Sequence, residues 1–304
     1  MPRGTEGSGD GAGDGEGRCR DGGTWRDDRP PPYEIPEERL PPGFVETLAS
    51  APAKPPVPIP AATVVVMREG GEGPEVLLLR RNRATGFVPG AYVFPGGRVD
   101  AADGQDALVR CWDGLTREGA AARLGIARDA DPPAIAYYGA ALREAVEETG
   151  LLAGVVAANG PPCGEAVSEA REALLGGGAS FAAVLDGLGA RLDGNAIEYI
   201  AHWVTPEVEP RRYDTRFFAA RVPDGSRAVY DRREMTDAVW LTLVAALERH
   251  RRGRLPMIFP TIRTLEDLCD FASVEDLLAH YRARTITRVQ PTIVRTATGL
   301  SLRV

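Results

Sequence analysis

The segment from Ala134 to Thr149 constrains the fold more than any other part of this 304-residue chain. Its apolar residues recur at helical spacing along one face, and Gly150 suits the left-handed position that ends many helices. The opposite face carries three carboxylates at i, i+3 and i+4, namely Glu144, Glu147 and Glu148. Such carboxylates repel one another and oppose the helix dipole near a C-terminus. A divalent cation such as Mg²⁺ reverses that repulsion, so the pattern indicates a metal site.

The same helix belongs to a longer motif. The run Arg143-Glu-Ala-Val-Glu-Glu-Thr-Gly-Leu151 fills every fixed position in the second half of Gly-x5-Glu-x7-Arg-Glu-U-x-Glu-Glu-x-Gly-U, where U is apolar. Upstream, Phe94-Pro-Gly-Gly97 is similar to the sequence that precedes this motif. The chain therefore resembles the Nudix hydrolase (MutT-like) superfamily. The resemblance implies an α/β Nudix fold, in which a mixed β-sheet is sandwiched between helices, with further helices added at the C-terminus.

An insertion separates the two halves of the motif. Between Gly97 and Arg143 lie 45 residues, whereas the standard motif has 13. Counting forward from Gly97 places Asp103 at the position of the first glutamate, and counting back from Arg143 places Ile135 there, which cannot bind a cation. An insertion at 98–133 resembles a branch that contains the peroxisomal coenzyme A diphosphatase-like proteins. That branch implies hydrolysis of a pyrophosphate bond in a nucleoside diphosphate linked to another moiety, with coenzyme A or acyl-coenzyme A as candidates.

The resemblance also assigns roles to individual residues. The implied ligands of Mg²⁺, which Mn²⁺ could replace, are Glu144, Glu147, Glu148 and the carbonyl oxygen of Gly96. The implied catalytic carboxylates are the same three glutamates and Glu234, which lies six residues before Trp240. The implied structural residues of the motif are Gly97, Arg143 and Gly150. Four arginines are candidates to bind substrate phosphates as forks: Arg80, Arg81, Arg212 and Arg216.

The sequence leaves the substrate open. Of the signature of coenzyme A pyrophosphatases, Arg81 and Gly90 are present, whereas Leu79 and Asn82 depart from it. ADP-ribose, NADH or another nucleotide is therefore an alternative substrate for the same chemistry. A non-catalytic Nudix-fold module that senses a nucleotide is an alternative of a different class. The complete acidic trio favours an enzyme, because a module that only binds nucleotides has no need of all three carboxylates.

Composition limits the kinds of partner that we expect this protein to bind and the compartment in which we expect it. The net charge of −7 argues against binding to nucleic acid, which requires clustered cations. No run approaches the roughly 18 apolar residues of a membrane span. The four cysteines lie far apart without metal-binding spacing, which favours free thiols and a cytoplasmic location. We expect a nucleotide-containing small molecule as the partner, and the sequence is compatible with a homodimer.

The ends of the chain differ in composition from its centre. Residues 1–58 are rich in glycine, proline and acidic residues, so we expect a disordered arm. The Nudix domain is predicted over 59–285, with mixed strands and helices that lack strict βαβ alternation. Residues 286–304 are predicted to form a C-terminal tail with a hairpin.

Overall fold

The computed structural model describes residues 33–36, 54–82, 90–158, 160, 162, 164–223, 226, 228, 235–297 and 299–304. Its strands are β1 (Tyr33–Pro36), β2 (Ile59–Gly70), β3 (Gly73–Arg81), β4 (Tyr92–Val93), β5 (Gly96–Arg98), β6 (Trp112–Asp113), β7 (Val155–Ala157), β8 (Ala190–Asp193), β9 (Ile197–Val204), β10 (Tyr213–Arg221), β11 (Met235–Thr242), β12 (Arg288–Val289), β13 (Thr292–Arg295) and β14 (Gly299–Arg303). Its helices are α1 (Asp106–Val109), α2 (Arg117–Leu124), α3 (Ala134–Thr149), α4 (Gly164–Leu175), α5 (Phe181–Gly187), α6 (Leu243–Arg251), α7 (Phe259–Leu268) and α8 (Val274–Arg282). A 3-10 turn covers Ala101–Gly104.

An eight-stranded mixed sheet forms the centre of the molecule. Its strand order is β11-β3-β2-β10-β9-β12, with β4 paired to β3 and β5 paired to β2. The pairs β2–β10 and β9–β12 are parallel, and the other pairs are antiparallel. Both β5 and β3 lie on the same side of β2, at opposite ends of that strand. This arrangement places the glycine loop at β5 beside the middle of the sheet.

Both faces of the sheet are buried, which explains why its central strands are almost continuously apolar. On β2, Val64 and Val66 pack in the core that contains α3, whereas Val65 and Met67 pack in the core that contains α6, α7 and α8. All four of these side chains have no exposed surface. The prediction of a mixed sheet sandwiched between helices, with added C-terminal helices, is therefore confirmed.

The segment between the halves of the motif forms a compact unit beside α3. It contains the 3-10 turn, α1, α2 and the strand β6. The strand β6 pairs with β8, which also pairs with β7, so a second small sheet forms there. The sequence does not predict β6, since its two residues carry no detectable periodicity.

One buried carboxylate joins this segment to the C-terminal helices. Glu198 on β9 is only 2% exposed. Its Oε1 accepts a hydrogen bond from Nε of Arg282 on α8 at 2.7 Å, and its Oε2 lies 3.8 Å from Nη1 of Arg123 on α2. Because a buried charge is costly without partners, the two arginines stabilise Glu198, and through it α2 and α8 are held on the same strand.

The terminal strands form a third sheet, in the order β1-β14-β13. The expectation of a disordered arm over residues 1–58 is wrong for Tyr33–Pro36, which pairs antiparallel with β14. Composition missed this strand because its partner is distant in sequence. The strands β13 and β14 form the antiparallel hairpin of the C-terminal tail. Within the described residues, no helix is long and apolar enough to cross a membrane.

Candidate active site

The glycine loop at β5 lies directly against the acidic face of α3. The backbone nitrogen of Gly96 donates a hydrogen bond to Oε2 of Glu148 at 3.2 Å. A Cβ atom added at Gly97 would overlap Oε1 of Glu144, so a side chain there would push the Glu144 carboxylate away from the loop. At Gly96 an added Cβ would lie 2.5 Å from the backbone oxygen of Ala62, so glycine is required at that position. The predicted proximity of the loop to the glutamates is present in the structure.

Arg143 organises two of the three carboxylates. It is 7% exposed, and its Nη1 donates to Oε1 of Glu144 and to Oε2 of Glu147, both at 2.9 Å. Its Nη2 donates to the carbonyl oxygen of Arg98 at 2.9 Å. A guanidinium held this way fixes the orientation of both acids relative to the loop. The structural role implied for Arg143 agrees with these contacts.

Asp103 is the residue that holds Arg143 from the other side. Its Oδ1 accepts from Nε of Arg143 at 2.8 Å and its Oδ2 accepts from Nη2 at 3.1 Å, a bidentate pair. Oδ2 also accepts from the backbone nitrogen of Asp100 at 2.8 Å, so the 3-10 turn fixes the carboxylate. Ile135, the other position that the motif allowed, packs in the core at 1% exposure. Of the two positions that the motif allowed, Asp103 is therefore the one that lies beside Arg143.

This placement moves the boundary of the insertion. Arg98 and Asp103 both contact Arg143, so the start of this segment lies against α3. With Asp103 at the first acidic position, the 32 residues beyond the standard spacing are residues 104–135, so on this count the insertion begins after Asp103, whereas the prediction placed it at 98–133. The insertion leaves the contacts between the two halves of the motif intact.

Burial makes the ionised forms of two glutamates on the acidic face of α3 less favourable. Burial raises the pKa of Glu144 from 4.5 to about 7, although Arg143 opposes the shift, and Glu147 adds repulsion. Burial also raises the pKa of Glu147. Among the described residues, no group of three or more Asp, Glu, His or Cys side chains is arranged to hold a metal ion, and Glu144 and Glu147 both accept hydrogen bonds from Arg143. The carboxylate oxygens of the acidic face, whose negative charge exceeds the one positive charge of Arg143, nevertheless suit a hard divalent cation.

The raised pKa of Glu144 predicts how stability depends on pH. Its folded pKa exceeds the unfolded value, so the metal-free protein loses stability as pH rises from about 4.5 to about 7. The shift corresponds to roughly 3 kcal/mol. Thermal unfolding in EDTA at pH 5 and pH 8 should show a smaller loss for Glu144→Gln than for the wild type. An equal loss in both proteins would contradict this account.

The C-terminal end of α3 is fixed by two features. Gly150 adopts φ of +65°, and its nitrogen donates to the carbonyl oxygen of Val146 at 2.8 Å. Arg171 on α4 is 7% exposed and donates from Nε to the carbonyl oxygen of Glu147 at 2.8 Å. A cation at this end offsets the repulsion between the acids and the helix dipole. No sequence pattern predicts this contact of Arg171, because nothing in its spacing relates α4 to α3.

The four candidate arginines occupy different environments. Arg81 lies on β3 at the parity of Leu77 and Leu79, which pack in the core of α3, so its side chain lies on the face of the sheet that α3 covers. Arg80 lies on the opposite face, where its Cζ is 5.9 Å from the ring centroid of Tyr92.

Arg212 and Arg216 are both held by other groups. Arg212 is 5% exposed and donates to the carbonyl oxygens of Thr205 and Pro56 at 3.1 and 2.9 Å, which is a structural arrangement and not a phosphate fork. Arg216 contacts His202 and Tyr199 on β9. Glu234, the fourth candidate carboxylate, lies outside the described residues.

This fold, with an acidic helix packed on a glycine loop, defines a Nudix hydrolase domain. A crystal structure of a NUDIX hydrolase from Alicyclobacillus acidocaldarius superimposes with a TM-score of 0.60 at 31% identity, covering 73% of this chain and 96% of that protein. More narrowly, residues 60–268 match the model of the NUDT19 Nudix domain, and the chain belongs to that family.

Proteins named acyl-coenzyme A diphosphatase are similar in sequence to much of this chain. The acyl-coenzyme A diphosphatase NUDT19 of chicken (Gallus gallus) is 32% identical over 244 residues, which are 67% of this chain and 63% of that protein. The human (Homo sapiens) protein of the same name is 27% identical over 269 residues, covering 75% of this chain and 70% of that protein. The chain thus spans less than two thirds of the length of the chicken relative.

Proposed function

We propose that this protein hydrolyses the pyrophosphate bond of a nucleoside diphosphate linked to another moiety, in a reaction that requires Mg²⁺. The observation that carries the proposal is the convergence of Glu144 and Glu148 on the Gly96–Gly97 loop, with Arg143 and Asp103 behind them. Coenzyme A or an acyl derivative is the first candidate substrate, because the relatives in chicken and man are named acyl-coenzyme A diphosphatases.

In this proposal the residues of the acidic face have different chemical roles. Glu147, Glu148 and the carbonyl oxygen of Gly96 would hold Mg²⁺, which supplies positive charge to the phosphates when bound. Glu144 is the carboxylate whose pKa lies near neutral pH, so it would accept a proton from the attacking water. The water oxygen bonds to phosphorus, the bond to the bridging oxygen breaks, and two phosphate monoesters are released. Arg143 keeps Glu144 oriented during this transfer.

A metabolite panel tests the proposal. We would incubate the pure protein with coenzyme A, acetyl-coenzyme A, NADH and ADP-ribose, with Mg²⁺ or with EDTA, and identify the products by mass spectrometry. We expect 3′,5′-ADP and a 4′-phosphopantetheine derivative from the coenzyme A substrates, and no product in EDTA. Turnover of NADH or ADP-ribose alone would overturn the substrate assignment. Nucleotide binding without turnover of any compound would overturn the enzymatic assignment in favour of a sensing module.

Arg81 is the residue that we propose to bind a phosphate group of the substrate. Its side chain is half-buried on the face that α3 covers, and within the described residues its Nε is buried without a hydrogen-bond partner. A buried donor without a partner is costly, and a phosphate oxygen would satisfy it. We expect Arg81→Gln to raise KM about tenfold, with a smaller effect on kcat.

Arg80→Gln is the matched control, because Arg80 is the adjacent residue and lies on the opposite face of β3. Its KM should change much less than that of Arg81→Gln when both are measured with the substrate that the panel identifies. Equal increases in KM for the two variants would exclude a specific role for Arg81.

A further inference from the structure

One register row of the central sheet runs from the glycine loop to the sheet edge. In spatial order the row contains Gly97, Ala62, Arg216, His202 and Arg288. Residues paired across neighbouring strands project their side chains to the same side of a sheet. The two arginines and His202 therefore lie on the face where Gly97 meets Glu144.

The guanidinium of Arg216 is held in one orientation. Its Nη1 donates to the hydroxyl of Tyr199 at 2.9 Å and also bonds Nδ1 of His202. Its Cζ lies 5.6 Å from the ring centroid of Tyr137, a residue of α3. Nε2 of His202 is in turn 2.7 Å from Oδ1 of Asp214. Arg216 is thus pre-oriented by two rings and a His–Asp pair, as expected of a binding group.

The cluster formed by Arg216, His202, Asp214 and Arg288 carries more positive than negative charge. Burial lowers the pKa of His202, so the ring is neutral at pH 7. Asp214 is the one carboxylate in the cluster; burial opposes its ionisation, but the hydrogen bond with His202 and the nearby arginines hold its pKa below the ordinary value. The charges of two guanidinium groups, those of Arg216 and Arg288, therefore act on one carboxylate. Arg288 is exposed and donates from Nη2 to Oε1 of Gln290 at 2.6 Å.

Part of the donor capacity of Arg216 is unused. In the part of the chain that the structure describes, Nε of Arg216 is buried without a hydrogen-bond partner and lies 3.7 Å from the Asp214 carboxylate. The side chain is 12% exposed and that of Asp214 is 27% exposed, so the cluster is reached from solvent. A partly buried cation with an unsatisfied donor is suited to an anionic oxygen.

We infer that Arg216, supported by Arg288, forms an anion subsite for a phosphate monoester that the substrate carries away from the bond that is cleaved. This inference rests on the proposed function. Gly97 and Arg216 are two strand spacings apart, about 10 Å, which an arginine side chain and a ribose can bridge. Coenzyme A carries such a group, because the ribose that bears its pyrophosphate at the 5′ position has a phosphate at the 3′ position. The subsite would thus select the 3′-phosphorylated substrate.

Direct binding tests the subsite without requiring turnover. We would titrate 3′,5′-ADP and 5′-AMP into the protein in EDTA by calorimetry, using wild type, Arg216→Gln, Arg216→Lys and Arg221→Gln. The last is the control, since Arg221 lies on the same strand and pairs with Glu275 at 2.8 Å. We expect wild type and control to bind the bisphosphate roughly tenfold more tightly than 5′-AMP or better. Arg216→Gln should lose this preference and Arg216→Lys should retain part of it.

Several outcomes would overturn the subsite. Equal affinity of the wild type for both nucleotides would do so, as would an unchanged preference in a folded Arg216→Gln protein. Inorganic phosphate that binds the cluster as tightly as the bisphosphate does would indicate an independent anion site and not a substrate subsite. Circular dichroism of each variant shows whether the protein is folded, and Arg216→Lys keeps the test valid if Arg216→Gln does not fold.

Kinetics separate this inference from the proposed function. With coenzyme A and 3′-dephospho-coenzyme A as a matched pair, Arg216→Gln should lower kcat/KM about tenfold for coenzyme A alone. Equal losses on both substrates would overturn the subsite and leave the proposed function standing. Lack of turnover of either substrate by the wild type would overturn coenzyme A as the substrate, while the preference in nucleotide binding would still support the subsite.

Discussion

Glu148→Gln is expected to lower kcat at least about a hundredfold while the unfolding temperature in EDTA changes little. The amide retains an oxygen that accepts the hydrogen bond from the nitrogen of Gly96, which the carboxylate accepts at 3.2 Å. The loop and α3 therefore keep their contact, and the substitution removes mainly the negative charge that would hold Mg²⁺. Steady-state turnover across a range of Mg²⁺ concentrations measures the effect, and excess Mg²⁺ should restore part of it.

Glu165→Gln is the control for the loss of one negative charge, because Glu165 is an exposed residue of α4. Its turnover should match that of the wild type. Glu147→Gln should also lose activity, but with some loss of stability, since Glu147 accepts from Arg143 at 2.9 Å. Near-normal kcat for Glu148→Gln would refute its assignment as a metal ligand.

Asp103→Ala is expected to lower the free energy of unfolding by about 3 to 5 kcal/mol, because it leaves the buried guanidinium of Arg143 without its bidentate partner. Activity should fall as well, since Arg143 orients Glu144 and Glu147. Asp103→Glu restores the charge but is one methylene longer, and Asp103 sits at 1% exposure, so an intermediate stability is expected. Urea-induced unfolding followed by circular dichroism measures these differences.

Asp106→Ala provides the comparison. Asp106 lies three residues further along and pairs with Arg117 at 2.6 Å, but its side chain is 79% exposed. An exposed ion pair contributes about 1 kcal/mol or less. If Asp103→Ala and Asp106→Ala unfolded at the same urea concentration, Asp103 could not be the support of Arg143 that we describe.

The motif predicted the centre of the site because its residues are local in sequence. The spacing of Glu144, Glu147 and Glu148 on one helix defines their common face, and a glycine pair that precedes such a helix indicates close backbone approach. The choice between Asp103 and Ile135 needed coordinates. Only the fold shows that Asp103 contacts Arg143 whereas Ile135 packs in the core.

The sequence alone does not predict contacts between residues that lie far apart in the chain. Whether an arginine faces α3 or the opposite helices depends on strand register, so Arg80 and Arg81 were equivalent until the sheet was known. His202 is 12 residues from Asp214, and a bulge at Phe217 and Phe218 shifts the pairing between their strands. No pattern in one strand reports such a shift. Arg171 is likewise related to α3 only through packing.

The position of Glu198 has a practical consequence for the smallest piece of this protein that can fold. The family match ends at residue 268, but Arg282, which neutralises Glu198, lies beyond it. A recombinant fragment that stopped at 268 would retain Arg123 as the one arginine beside this carboxylate, at 3.8 Å. Deletion studies should therefore extend at least through Arg282, because a fragment that ends at residue 268 lacks α8 and would expose the apolar side chains of the core against which α8 packs.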